Sequence, residues 1–109
     1  MTVPKDRLHG TLDALVLKTL TFGPRHGYGI VRWLRDQTGN GVPIEEGSVY
    51  PALYRMERDG WIAADWGMSE LGRKAKVYSI TSKGRVRLRA EAEEFASFVT
   101  LVAPLLLPA

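Results

Sequence analysis

The hydrophobic period of this chain changes twice, and each change marks a change of element. Up to Met56 apolar residues recur every three or four positions; between Trp61 and Ile80 they alternate; after Thr81 the helical spacing returns. Leu8, Leu12, Leu15, Val16 and Leu20 predict a first helix over about 9–21, closed by Gly23-Pro24. A second helix over about 27–38 buries Ile30, Val31 and Leu34, with Gly39 as a left-handed C-terminal cap. Val42-Pro43-Ile44 reads as a very short edge strand, since Pro43 is tolerated only at an edge. The third helix spans about 48–59. Ser48 caps it, and Pro51 falls in the first turn, where its missing N–H has no intrahelical partner anyway.

The alternation in Trp61–Trp66 places Ile62, Ala64 and Trp66 on one face, and that in Lys76–Ile80 places Tyr78 and Ile80 on one face. These are two strands of a hairpin, joined by the basic, glycine-containing loop from Gly67 to Ala75. A last helix over about 82–103 starts from a Thr81 cap and stops at Pro104. Three helices, a hairpin and a fourth helix make an α+β, mainly α, winged helix-turn-helix with a C-terminal dimerisation helix. The expected division is residues 1–81 as the DNA-binding domain and 82–109 as the dimerisation helix and apolar tail of the same compact unit. At 109 residues the core is small, so a second subunit would add useful burial.

Catalysis is not expected. Cysteine is absent, which removes disulfides, thiolate nucleophiles and cysteine metal sites. His9 and His26 lack the spacing of a zinc pair, and no nucleophile elbow or P-loop occurs. Gly27-Tyr28-Gly29 is too short for a dinucleotide loop and shows no strand signal before it. Glu45-Glu46 and Glu93-Glu94 read as solvated surface. No catalytic residue, cofactor or metal is assigned. Residues 1–10 lack an apolar signal-peptide segment. The apolar run Phe95–Leu107 is thirteen residues, short of the roughly 20 that span a bilayer. A soluble cytoplasmic protein without membrane contact is expected.

With Val49, Ala52, Leu53 and Met56 turned inward, the third helix displays Tyr50, Pro51, Tyr54, Arg55 and Arg58. Long hydrogen-bonding side chains on an exposed face are what a helix in a major groove needs. Arg55 can reach a guanine edge or a phosphate; alternatively, the arginines pair with Glu57 and Asp59 on an ordinary surface helix. The net charge is +3, and from Arg73 to Arg89 there are seven basic residues and no acidic one. Arg73, Lys74 and Lys76 have no partner at helical spacing, unlike Arg87 with Glu91 and Arg89 with Glu93. At a wing tip such side chains suit the negative potential of a minor groove.

On the last helix Leu88, Ala92, Phe95, Val99 and Val102 form a heptad seam, broadened by Phe98, Leu101 and Leu105. Something must cover it: the chain's own first helix, or a second subunit, which is the reading adopted. Trp33, Trp61 and Trp66 read as packing residues that could alternatively stack a planar ligand.

The stretches Leu8-His9-Gly10-Thr11-Leu12-Asp13, His26-Gly27-Tyr28-Gly29-Ile30 and Glu46-Gly47-Ser48-Val49-Tyr50-Pro51-Ala52-Leu53-Tyr54-Arg55-Met56-Glu57 resemble the PadR family of bacterial transcriptional regulators. Gly60-Trp61-Ile62, Arg73-Lys74-Ala75-Lys76-Val77-Tyr78 and Thr81-Ser82-Lys83-Gly84 resemble its wing and exit. The short C-terminal part is similar to the subfamily with a single dimerisation helix, although the apolar tail with Pro104 and Pro108 departs from a longer polar helix. The resemblance implies a homodimeric repressor of palindromic double-stranded operator DNA, released by a small, often aromatic, effector. It places Ser48, Tyr50, Pro51, Tyr54 and Arg55 in the recognition helix, Lys74 and Lys76 in the wing, and Tyr28 in the turn that opens the second helix. Two other classes remain open from the residues alone: a winged-helix protein-interaction module, and a small-molecule-binding protein without DNA binding.

Overall fold

A computed structural model describes residues 10–68 and 71–108. Leu8, His9 and the middle of the wing loop, Ser69 and Glu70, lie outside the described residues. Helix α1 is Leu12–Leu20, β1 Arg25–His26, α2 Gly27–Gln37 and α3 Glu46–Arg58. Then come β2 Ile62–Met68, β3 Lys74–Ile80 and α4 Ser82–Leu106. Among the described residues this is four helices with one three-stranded antiparallel sheet, ordered β1-β3-β2. The arrangement is the winged-helix fold, mainly α, as the hydrophobic periods indicate.

The core forms where α1, α2 and α3 turn their apolar stripes together. Val16, Leu17 and Leu20 meet Ile30, Val31 and Leu34, and Val49, Leu53 and Met56 close the third side. Ile62 and Tyr78 bring the base of the hairpin onto this core. The register pairs Ile62 with Ile80, Ala64 with Tyr78 and Trp66 with Lys76, so one face runs from the buried core out to the exposed wing.

Five expectations need correction. Val42-Pro43-Ile44 is not a strand. The Ile44 N–H turns back to the Val42 carbonyl at 2.8 Å, and the Arg35 Nε donates to the Ile44 carbonyl at 2.9 Å. One edge of the sheet is instead β1, whose Arg25 and His26 pair with Tyr78 and Val77. The Gly27-Tyr28-Gly29 turn therefore does follow a strand, though a two-residue one in an antiparallel sheet. Helix α3 begins at Glu46 with Glu45 as N-cap, so Ser48 does not cap it and Pro51 is the sixth helical residue. There its ring leaves the Gly47 carbonyl without an intrahelical donor. Finally, α4 continues through Pro104 to Leu106, and the strands reach Met68 and start at Lys74, which shortens the wing loop.

The start of α4 is fixed tightly. The Thr81 hydroxyl accepts from the Gly84 N–H at 3.0 Å and donates to the Gly60 carbonyl at 2.7 Å. Gly84 is buried, and a Cβ there would overlap the Trp61 carbonyl oxygen. This junction holds the last helix, the wing and the end of α3 in one rigid corner. From it α4 runs beside α1, with Leu88 packed on the core.

Candidate nucleic-acid interface

With its inner residues committed to the core, α3 turns a row of Gly47, Tyr50, Pro51, Tyr54 and Arg58 to solvent. Tyr54 is 72% exposed. Tyr50 is held from behind by α2: a Cβ at Gly27 would lie 2.5 Å from its ring. Only glycine lets the ring lie there, so the opening of α2 and the outer face of α3 are fitted to one another. Burial pushes the Tyr50 phenol up from its usual pKa, helped by the nearby Glu46 carboxylate, so the hydroxyl keeps its proton. Ser48 is half-buried and its N–H donates to the Glu45 carbonyl at 3.0 Å.

Arg55 faces elsewhere. Its guanidinium forks onto Asp13 of α1, with distances of 2.6 and 2.8 Å. That hydrogen-bonded pairing raises the pKa of Arg55 above its ordinary value. Arg58 lies 3.4 Å from Asp59, a loose exposed pair.

The turn into α2 supplies a second set of groups. His26 is its N-cap, and Nδ1 accepts from the Gly29 N–H at 3.2 Å, which leaves the ring proton on Nε2. The exposed Tyr28 ring lies parallel to His26, 6.5 Å away. Arg32 follows one helical turn later and is exposed. Neither His26 nor Arg32 was singled out from sequence as a DNA group; the i, i+4 spacing of Tyr28 and Arg32 was the available signal.

The wing completes the surface. Lys74 and Lys76 stand opposite Met68 and Trp66 on β2, and Arg73 is exposed beside them. Lys76 Nζ lies 3.4 Å from Glu57 of α3, a partner that helical spacing could not reveal. Arg87 does pair with Glu91 as the spacing indicated. Between the wing, α2 and α3 lies an open groove of about 350 Å³, lined by His26, Tyr28, Arg32, Tyr50, Lys76 and Tyr78 among others. Of the residues expected to contact DNA, Tyr28, Tyr50 and Lys76 thus meet in one groove. Pro51 and Tyr54 continue along α3, Arg73 and Lys74 continue along the wing, and Arg55 is turned away towards α1.

On α4, Leu88 packs against the chain's own core, while Ala92, Phe95 and Val99 are exposed and Val102 is half-buried. Phe98, Leu101 and Leu105 extend the exposed apolar surface. Trp33 and Trp61 are partly buried against the core, as packing residues should be, but Trp66 is 65% exposed on the wing. Among the described residues no cluster of ligating side chains could hold a metal, and no helix is long and apolar enough to cross a membrane.

A family model, that of the transcriptional regulator PadR-like family, matches residues 16–90. The chain belongs to this family. It is a family of transcriptional regulators, not of enzymes. An uncharacterized protein of Lysinibacillus sphaericus is 31% identical over 100 residues, which is 92% of each chain. A PadR-like transcriptional regulator from Bacillus cereus has a solved structure with a TM-score of 0.80 at 30% identity, covering 95% of this chain and 99% of that one. Bacillus subtilis PadR, solved in complex with operator DNA, shares the fold at a TM-score of 0.66 and 22% identity. The match covers 76% of this chain and 46% of that longer PadR protein.

Proposed function

We propose that this PadR-like regulator binds palindromic double-stranded operator DNA as a cytoplasmic homodimer and represses transcription. The observation that carries the reading is the juxtaposition of the Tyr50–Tyr54 face of α3 with the Lys74–Lys76 stretch of the wing and the Tyr28–Arg32 face of α2. In this reading the outer face of α3 enters the major groove, where Tyr50, Pro51 and Tyr54 meet base edges and thymine methyls, and Ser48 adds a backbone contact. Arg73, Lys74 and Lys76 neutralise phosphates and give affinity without sequence choice. Arg55 acts through Asp13, holding α3 in place rather than reading a base.

The dimer forms along α4, where Ala92, Phe95, Val99 and Val102 continue beyond the Leu88 contact. Two-fold symmetry then sets two α3 helices about 34–36 Å apart along one face of the duplex. Release by a small aromatic effector belongs to the same reading and rests on the family membership. A winged-helix adaptor for a protein partner would not need the acid-free basic window from Arg73 to Arg89.

Selection of duplexes from a randomised pool tests the proposal. The expected product is an inverted repeat with half-sites one helical turn apart, bound two chains per duplex. Phe95→Glu, placed on the exposed seam, should yield monomers by sedimentation and lose the inverted-repeat preference. No enrichment from the pool would contradict the DNA reading; a wild-type monomer that still selects an inverted repeat would contradict the α4 dimer.

A further inference from the structure

Tyr78 stands at the base of the wing with its ring packed onto the core. The residue is only 7% exposed. Its hydroxyl takes part in no hydrogen bond among the described residues, yet its oxygen is not sealed from solvent. The residue lines the groove between wing, α2 and α3, so that is where the hydroxyl opens. A hydroxyl that no described protein group engages and that faces an open groove is free to donate to a ligand there. Burial raises the phenol's pKa above its usual value, against the lowering effect of Lys76, so at neutral pH the group offers an O–H.

Aliphatic and ring carbon, including Leu71 and Ala75, makes up much of the lining, and the polar groups set in it are mostly donors. Arg32 from α2 and Lys76 from β3 bring positive charge, and Tyr50 from α3 brings a second protonated phenol. Two carboxylates border the space: Glu46 near Tyr50, and Glu57 in its 3.4 Å pair with Lys76. That pair is half exposed, and an anion arriving beside the ammonium competes with it at little loss. Donors and cations thus converge from three elements on one small space. A base edge mixes donors with acceptors, whereas a phosphodiester presents only acceptors and charge.

We infer that this groove seats one backbone phosphate of a DNA strand, with the Tyr78 hydroxyl donating from the floor and Arg32 and Lys76 neutralising it. The inference rests on the DNA-binding reading and deepens it. Tyr78 and Arg32 become contact residues, and the phosphate fixes how the wing and α3 sit on one strand. An O–H···O⁻ bond of this kind is short and directional, so it positions the duplex as well as holding it.

The test compares wild type, Tyr78→Phe and Arg32→Gln by fluorescence anisotropy on the selected duplex. A series of the same duplex carries a single neutral methylphosphonate at each backbone position in turn. Wild type should lose about fivefold or more at one position in each half-site. Tyr78→Phe should bind the unmodified duplex more weakly by a similar factor and be indifferent to that same position, with its salt slope unchanged because no charge is removed. Arg32→Gln should show the same indifference together with a shallower slope. Should Tyr78→Phe misfold, the exposed Arg32 variant carries the comparison alone. Variants that bind as wild type, or whose losses add to every methylphosphonate equally, overturn the phosphate seat. Failure of wild type to bind any duplex would instead sink the DNA reading beneath it.

Discussion

Arg55 on α3 and Asp13 on α1 grip each other through two hydrogen bonds, although 42 residues separate them in the chain. Because α1 also packs against α4, this fork lies between the exposed apolar helix and the face proposed to read DNA. Arg55→Ala should lower stability by about 1 kcal/mol, since the pair is bidentate but partly solvated. DNA affinity should fall alike for all sequences. A loss confined to one base pair in a panel of mutated operators would show instead that Arg55 leaves Asp13 to read a base. Asp13→Asn gives the second arm of the cycle and should reproduce most of the stability change.

Gly84 is the position where a single methyl group does most damage. It would strike the Trp61 carbonyl oxygen, which belongs to the rigid corner that seats α4. Gly84→Ala should destabilise the fold by roughly 2–4 kcal/mol by urea unfolding, against about 1 kcal/mol for loss of the Thr81 cap. An unchanged midpoint would mean that the corner is far looser than its hydrogen bonds indicate.

Gly27 separates folding from function. Its added methyl would press on the Tyr50 ring, and that ring is partly exposed and able to swing outwards. Gly27→Ala should therefore melt within a few degrees of wild type while losing DNA affinity about tenfold, a loss of about 1.4 kcal/mol. A variant that binds normally would remove Tyr50 from the interface.

Much of this architecture is legible in the residues, and the parts that are not share a cause. The helical stripes of α1 to α3 and the alternation in the hairpin are local periodic signals, so the core residues of each element can be read directly. A two-residue strand such as β1 has no period, and it exists only because β3 offers it an edge. The Asp13–Arg55 fork, the Lys76–Glu57 pair and the open hydroxyl of Tyr78 are likewise products of tertiary packing. Helix α3 did carry a missed local sign: Glu46 in the first turn suits a helix N-terminus better than Ser48 two residues later.

The raised pKa values of Tyr50 and Tyr78 also predict alkaline behaviour. Below the ordinary phenol value of 10.0 both states are protonated and the contribution is fully present. As pH rises beyond it, the unfolded phenols ionise first, so stability falls until the folded pKa is passed. Melting temperature should decline from about pH 10 upwards, and less steeply in Tyr78→Phe. An identical decline in that variant would place the effect elsewhere.

The measurement closest to the central claim is the salt dependence of wild-type binding to the selected duplex, with a scrambled duplex alongside. Contacts to phosphates from two wings and two α2 helices should give a steep log–log slope, about −0.9 for each phosphate neutralised, and tighter binding to the selected sequence at every salt concentration. Lys74→Ala should make that slope shallower by about 2 in a dimer. No binding to either duplex at low salt, or a slope near zero, would contradict the proposal that this face of the protein binds DNA.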